Sequence, residues 1–113
     1  MKAYLIDPYE WTIKQVDYSG DYEDIYKLID CHTFDCVGFA GFGDTIYIDD
    51  EGLYKEDQEF FMVQGFPSPL CGKALVLGTD KHGNSISPKT SLTKLKSMVT
   101  FIPALFVIAK GLV

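Results

Sequence analysis

Between Asp44 and Phe61 the chain reads DTIYIDDEGLYKEDQEFF and carries seven carboxylates: Asp44, Asp49, Asp50, Glu51, Glu56, Asp57 and Glu59. Carboxylates this dense can hold a cation, exchange protons with a substrate, dock on a basic partner, or keep a turn in water. Calcium can be tested on spacing alone. With Gly52 at the glycine position of an EF-hand loop, the first ligand would be Tyr47 and the closing bidentate ligand Gln58. Only Asp49 and Glu51 fit, so the calcium reading fails. Magnesium needs one or two carboxylates, which leaves a weak divalent site at Asp49, Asp50 and Glu51 as the sharper alternative to a wet turn. The plainer reading has Asp50-Glu51-Gly52 ending a strand, with the glycine supplying positive φ and the charges blunting a sheet edge.

Other chemistries fare worse. Cys31-His32-Thr-Phe-Asp-Cys36 invites zinc, but a structural site wants two ligand pairs, and the rest of the chain offers only Cys71 and His82, each alone. Those two are also too far apart along an intervening strand to form a thiol–imidazole pair. Gly38-Phe-Ala-Gly-Phe-Gly43 has glycines but neither the lysine nor the following helix of a phosphate loop. Gly-x-Ser-x-Gly is absent. No catalytic residue, resident metal or cofactor is therefore expected.

The charges divide the chain. Residues 1–60 hold fifteen acids and four lysines, whereas residues 61–113 hold one acid and six lysines. The whole carries a formal charge of −6 and no arginine. A nucleic-acid binder neutralises phosphates with a basic surface and favours arginine at base edges, so direct binding to DNA or RNA is not expected. Apolar residues make up 47% of the chain, enough for a core without staples. Three cysteines and a start, MKAYLIDPYEW, without the apolar stretch of a secretion signal predict reduced thiols in a cytoplasm.

These side chains need elements to position them. Lys2–Asp7 reads as a strand buried on both faces, and Asp7-Pro8-Tyr9-Glu10 as a turn. Trp11–Tyr18 reads as its hairpin partner. Its apolar phase slips from Trp11 and Ile13 to Val16 and Tyr18, which predicts a β-bulge near Lys14-Gln15. Tyr22, Ile25, Tyr26 and Ile29 form one helical stripe after Ser19-Gly20-Asp21, with Asp21, Glu23 and Asp24 in the first turn. Two strands, Phe34–Phe39 and Asp44–Asp49, flank a glycine-rich hairpin loop. Gly72–Gly78 predicts a central strand, and Thr90 or Ser91 caps a short helix carrying Leu92, Leu95 and Val99. The apolar end of the chain brackets only six residues between Pro103 and Lys110, too few to cross a bilayer. It predicts a strand or helix packed on the sheet, or a surface for a second copy of the chain.

The phrases AYLIDPYEWTIKQVDYSGDYEDIYKLI, DTIYIDDEGLYK and GKALVLGTDKHGN resemble a family of small uncharacterised proteins encoded by bacteriophages and mobile elements. The resemblance runs over roughly residues 3 to 100 and stops before Pro103. It implies a setting, an accessory protein inside a bacterial host cell, and transfers no residue roles. The expected fold is α+β: an antiparallel sheet of about five strands with one main amphipathic helix and a second short one, in a single domain over residues 1–103 with an apolar tail over 104–113. The expected function is non-enzymatic docking of the seven carboxylates onto a basic host protein. The alternative is a small-ligand, nucleotide-binding protein that stacks a base on Phe39, Phe42 and Phe66.

Overall fold

The computed structural model describes residues 1–40, 43–54, 57–103, 105 and 107, with the backbone alone for Phe39 and Ala40. Glu56 and Phe42, both named above as site residues, lie outside the described residues, as does the side chain of Phe39.

The strands are β1 (Lys2–Asp7), β2 (Thr12–Asp17), β3 (Phe34–Ala40), β4 (Asp44–Asp49), β5 (Phe60–Val63), β6 (Leu70–Cys71), β7 (Ala74–Thr79), β8 (Ser85–Ile86) and β9 (Val99–Ile102). The helices are α1 (Glu23–Leu28) and α2 (Leu92–Met98), with a single 3-10 turn at Gly52–Tyr54. The architecture is α+β and its sheets are antiparallel, but the expected five-stranded sheet is six-stranded. Its order is β2-β1-β7-β4-β3, with β8 paired to β7. A second sheet, β6-β5-β9, was not expected. Its strands come from three separate stretches whose pairing no local pattern encodes.

β7 is central, as its apolar run predicted. Tyr4 and Ile46 both pair with Val76, and Leu5 and Tyr47 both pair with Leu75. Alternate residues then point to two different cores. Tyr4, Ile6, Ile13, Ile46, Ala74 and Val76 face Phe61, Val63 and Leu95 of the second sheet and α2. Ala3, Leu5, Leu75 and Leu77 face Tyr18 and the α1 segment through Ile25 and Ile29. The molecule is three layers: α1, the main sheet, then β6-β5-β9 with α2.

This layering explains why the expected β-bulge in β2 is absent. The β1–β2 register runs unbroken from Lys2↔Asp17 to Asp7↔Thr12. Ile13 serves one core and Val16 the other, so a regular strand between two covered faces produces the same phase change. A register irregularity occurs instead in β3, between Cys36 and Phe39.

The main helix is also shorter than expected, six residues. Ile25 and Ile29 are buried as predicted, whereas Tyr22 is exposed. The side chains at the start cap one another: Asp21 Oδ1 accepts from the Glu23 N–H at 3.1 Å and Asp24 Oδ2 from the Ser19 N–H at 3.2 Å. Asp30 ends the helix in the left-handed region at φ 52°, a conformation that glycine, asparagine and aspartate adopt most readily. At α2 the Ser91 hydroxyl accepts from the Lys94 N–H at 3.1 Å, the expected N-cap. No helix among the described residues is long and apolar enough to cross a membrane. In the apolar tail, Val107 is buried with Phe60 and Cys71 while Leu105 is exposed. The expected tail surface for a second copy otherwise falls outside the described residues.

Candidate functional site: an acid-lined cleft at one end of the main sheet

The antiparallel order brings the ends of β1 and β4 and the start of β7 to one end of the sheet. Ile6 and Ile48 both pair with Ala74. One residue further along the same register lie Asp7 and Asp49, with Lys73 between them. A cleft of about 390 Å3 opens there. Asp7, Glu10, Asp30, Asp49 and Asp57 line it, with Tyr9 and Lys73. Five acidic residues and one lysine thus line it.

Each acid is placed by local chemistry. Asp7 Oδ1 accepts the backbone N–H groups of Tyr9 at 2.9 Å and Glu10 at 3.3 Å, which folds the Pro8 turn back over the cleft. Asp49 Oδ1 accepts the Glu51 N–H at 2.9 Å and begins the 3-10 turn. Asp30 is delivered by the left-handed end of α1 and pairs with Lys73 Nζ at 2.7 Å. Asp57 offers its carbonyl to the Tyr9 hydroxyl, which donates at 2.9 Å.

The titrating groups report the sign of the local field. The Asp30 hydrogen bond raises the Lys73 ammonium above its ordinary value despite partial burial, with Asp30, Asp7 and Glu10 adding charge in the same direction. Burial pushes the Tyr9 phenol up to about 12, and Cys71, Asp57, Glu59 and Asp7 reinforce it. The charge contributions in both groups run in the direction a negative potential imposes, although burial leads the Tyr9 shift.

The seven expected docking carboxylates do not stay together. Asp44 is 0% exposed; it accepts the Lys89 N–H at 2.8 Å and the Thr90 N–H at 2.9 Å, pinning the segment before α2. Asp49 is 4% exposed. Neither belongs to an outward acidic face, because each is held inward by backbone donors. Asp50, Glu51 and Asp57 are exposed and Glu59 half-buried. Asp7, Glu10 and Asp30 were missed. They are scattered over the first thirty residues, and only the sheet order joins them to Asp49 and Asp57. The structure therefore revises the picture of acids crowded on the outside: several gather around one open cleft.

Of the alternative aromatic set, Phe66 is half-buried against the core beside Gly38. Cys31 and Cys71 are buried, and burial raises the Cys36 thiol, an effect the Asp35 charge adds to and a Tyr47 hydrogen bond offsets. Among the described residues, no group of three or more histidines, cysteines or carboxylates is arranged to hold a metal ion.

Comparison with known proteins places this scaffold. A family model described as a domain of unknown function, DUF3846, matches residues 1–100. The chain belongs to the DUF3846 family. The match ends within β9, so the cleft, both cores and α2 all fall inside the DUF3846 region. A relative is the uncharacterized protein y4iR of Sinorhizobium fredii (strain NBRC 101917 / NGR234), 28% identical over 93 residues. That alignment covers 80% of this DUF3846 chain and 56% of the relative, so the chain spans little more than half of the relative's length. No solved structure matches.

Proposed function

We propose that this DUF3846 protein is a non-enzymatic acidic accessory protein that binds a basic host protein, in the bacterial cytoplasm and in a bacteriophage or mobile-element setting. The cleft is the observation that carries the reading: five acidic residues and a single lysine line about 390 Å3 at the end of the main sheet. A lysine or arginine side chain entering it meets charge of the opposite sign on several sides. Exposed Asp50 and Glu51 extend the same field beyond the rim. Such a field steers association with basic surfaces and repels nucleic acid. The phage setting rests on the sequence resemblance alone. A nucleotide-binding reading has less support, because the cleft would repel phosphates and Phe66 packs on the core.

Capture from bacterial lysate tests it. The protein as bait retains a basic partner at low salt and releases it at high salt, since screening shortens the reach of exposed charges. The Glu10→Gln/Asp57→Asn variant, which neutralises two exposed cleft acids, captures severalfold less while melting at the same temperature. Capture that ignores both salt and the substitutions would sink the proposal.

A further inference from the structure

The 3-10 turn Gly52–Tyr54 holds two apolar side chains in solvent: Leu53 is 54% exposed and Tyr54 87%. A lone exposed apolar residue is ordinary. Two adjacent ones on a turn this firmly anchored are not. The Tyr54 N–H donates to the Glu51 carbonyl at 3.0 Å, and Gln58 Nε2 to the Leu53 carbonyl at 2.6 Å. The Cys71 thiol donates to the Gly52 carbonyl at 3.4 Å. Gly52 is packed so closely that a Cβ there would sit 3.1 Å from the Cys71 carbonyl oxygen. Just upstream, the Asp50 N–H donates to the Thr33 carbonyl at 3.2 Å. The backbone is fixed from both sides, so Leu53 and Tyr54 are presented with little ordering entropy left to lose on binding.

Leu53 is also one wall of a hollow of about 240 Å3, with Ile48, Pro69 and Leu70. Asp50 stands on its rim, with exposed Glu51 next to it. We infer that this turn docks on a basic amphipathic helix of the partner protein. Leu53 and Tyr54 lie on the helix's apolar stripe, one of its apolar side chains enters the hollow, and its flanking lysines or arginines meet Asp50, Glu51 and Asp57. The complementarity is an apolar centre beside exposed carboxylates, which a helix with an apolar stripe flanked by cations matches. An extended strand would need an unpaired sheet edge, and a 3-10 turn offers none. The inference rests on the acid-driven docking proposed above and adds the chemistry of the partner.

Two synthetic peptides of identical leucine and lysine composition test it by fluorescence titration at low salt. One places leucines at i, i+3, i+4 and i+7; the other scrambles them. The protein binds the amphipathic peptide about tenfold tighter, a difference of about 1.4 kcal/mol. The Leu53→Ser/Tyr54→Ser variant, both positions being exposed, melts unchanged and binds the two peptides alike. Equal, salt-sensitive binding of both peptides by the unsubstituted protein would overturn the docking turn and leave the acid-driven reading standing. So would a variant that still discriminates. Binding of neither peptide would overturn both.

Discussion

Asp44 and Tyr9 show how far a side chain's role depends on what it faces. Asp44 sits in a sequence crowded with acids, yet its two oxygens hold the Lys89 and Thr90 N–H groups inside the fold. Asp44→Ala strands those donors, each costing about 1–3 kcal/mol where burial denies it water. Urea titration is expected to show the loss as a lower midpoint with an unchanged slope. Asp44→Asn keeps one acceptor and loses less. Tyr9 gives a pH signature instead. Its phenol is pushed up to about 12 by burial and its acidic neighbours, so the folded state retains the proton where the unfolded chain releases it. The resulting stabilisation is whole below the ordinary phenol value of 10.0 and drains away as pH rises toward about 12. Tyr18 and Tyr47 shift the same way, burial leading in both. Absorbance titration should show a late-ionising phenol that Tyr9→Phe removes.

At the scale of elements, periodicity identified the pieces better than it identified their surroundings. β1 and β4 have the residue bounds that alternation and turn chemistry indicate, and β7 is central because Ala74–Gly78 leaves no polar face. The β2 phase change was legible; its cause was not, because one covered face was assumed and two exist. The α1 stripe correctly marks Ile25 and Ile29, both 2% exposed. Ile25→Asp and Ile29→Asp each remove an apolar contact and bury a charge against Leu75 and Leu77, at a cost of at least about 3 kcal/mol. Each should unfold the protein or lower its melting temperature sharply by circular dichroism. A cooperative, unshifted melt would disprove the placement of that helix. Gly78 marks another interface: a Cβ there would lie 2.6 Å from the Ser87 carbonyl oxygen, so the approach of the 85–87 segment to β7 requires glycine.

The whole molecule is organised around β7, flanked by β1 and β4 and covered on both faces. Hydrogen exchange should therefore find the amides of Leu75, Val76 and Leu77 the slowest, opening only with global unfolding, and those of two-residue β8 among the faster. Trp11, at φ 56° and 55% exposed, stacks on Phe101 with ring centroids 5.9 Å apart and ties the β1–β2 hairpin to the second sheet. At this scale charge acquires direction. Five of the fifteen acids in residues 1–60 line one sheet end beside Lys73, and the anchored Leu53–Tyr54 turn stands next to that end.

Composition and periodicity alone determined the class of fold, the identity of most strands and the α1 stripe, and narrowed the α2 cap to Thr90 or Ser91, because these depend on residues a few positions apart. The spacing also fails the EF-hand and phosphate-loop patterns, since each demands residues this chain lacks at the required positions. Only tertiary structure decided which acids are buried and which meet, because strand order and register bring together residues as distant as Asp7, Asp49 and Lys73. The second sheet and the contacts of β2 with a core on each face were settled in the same way, by long-range pairings whose energy lies in contacts between segments and leaves no local trace.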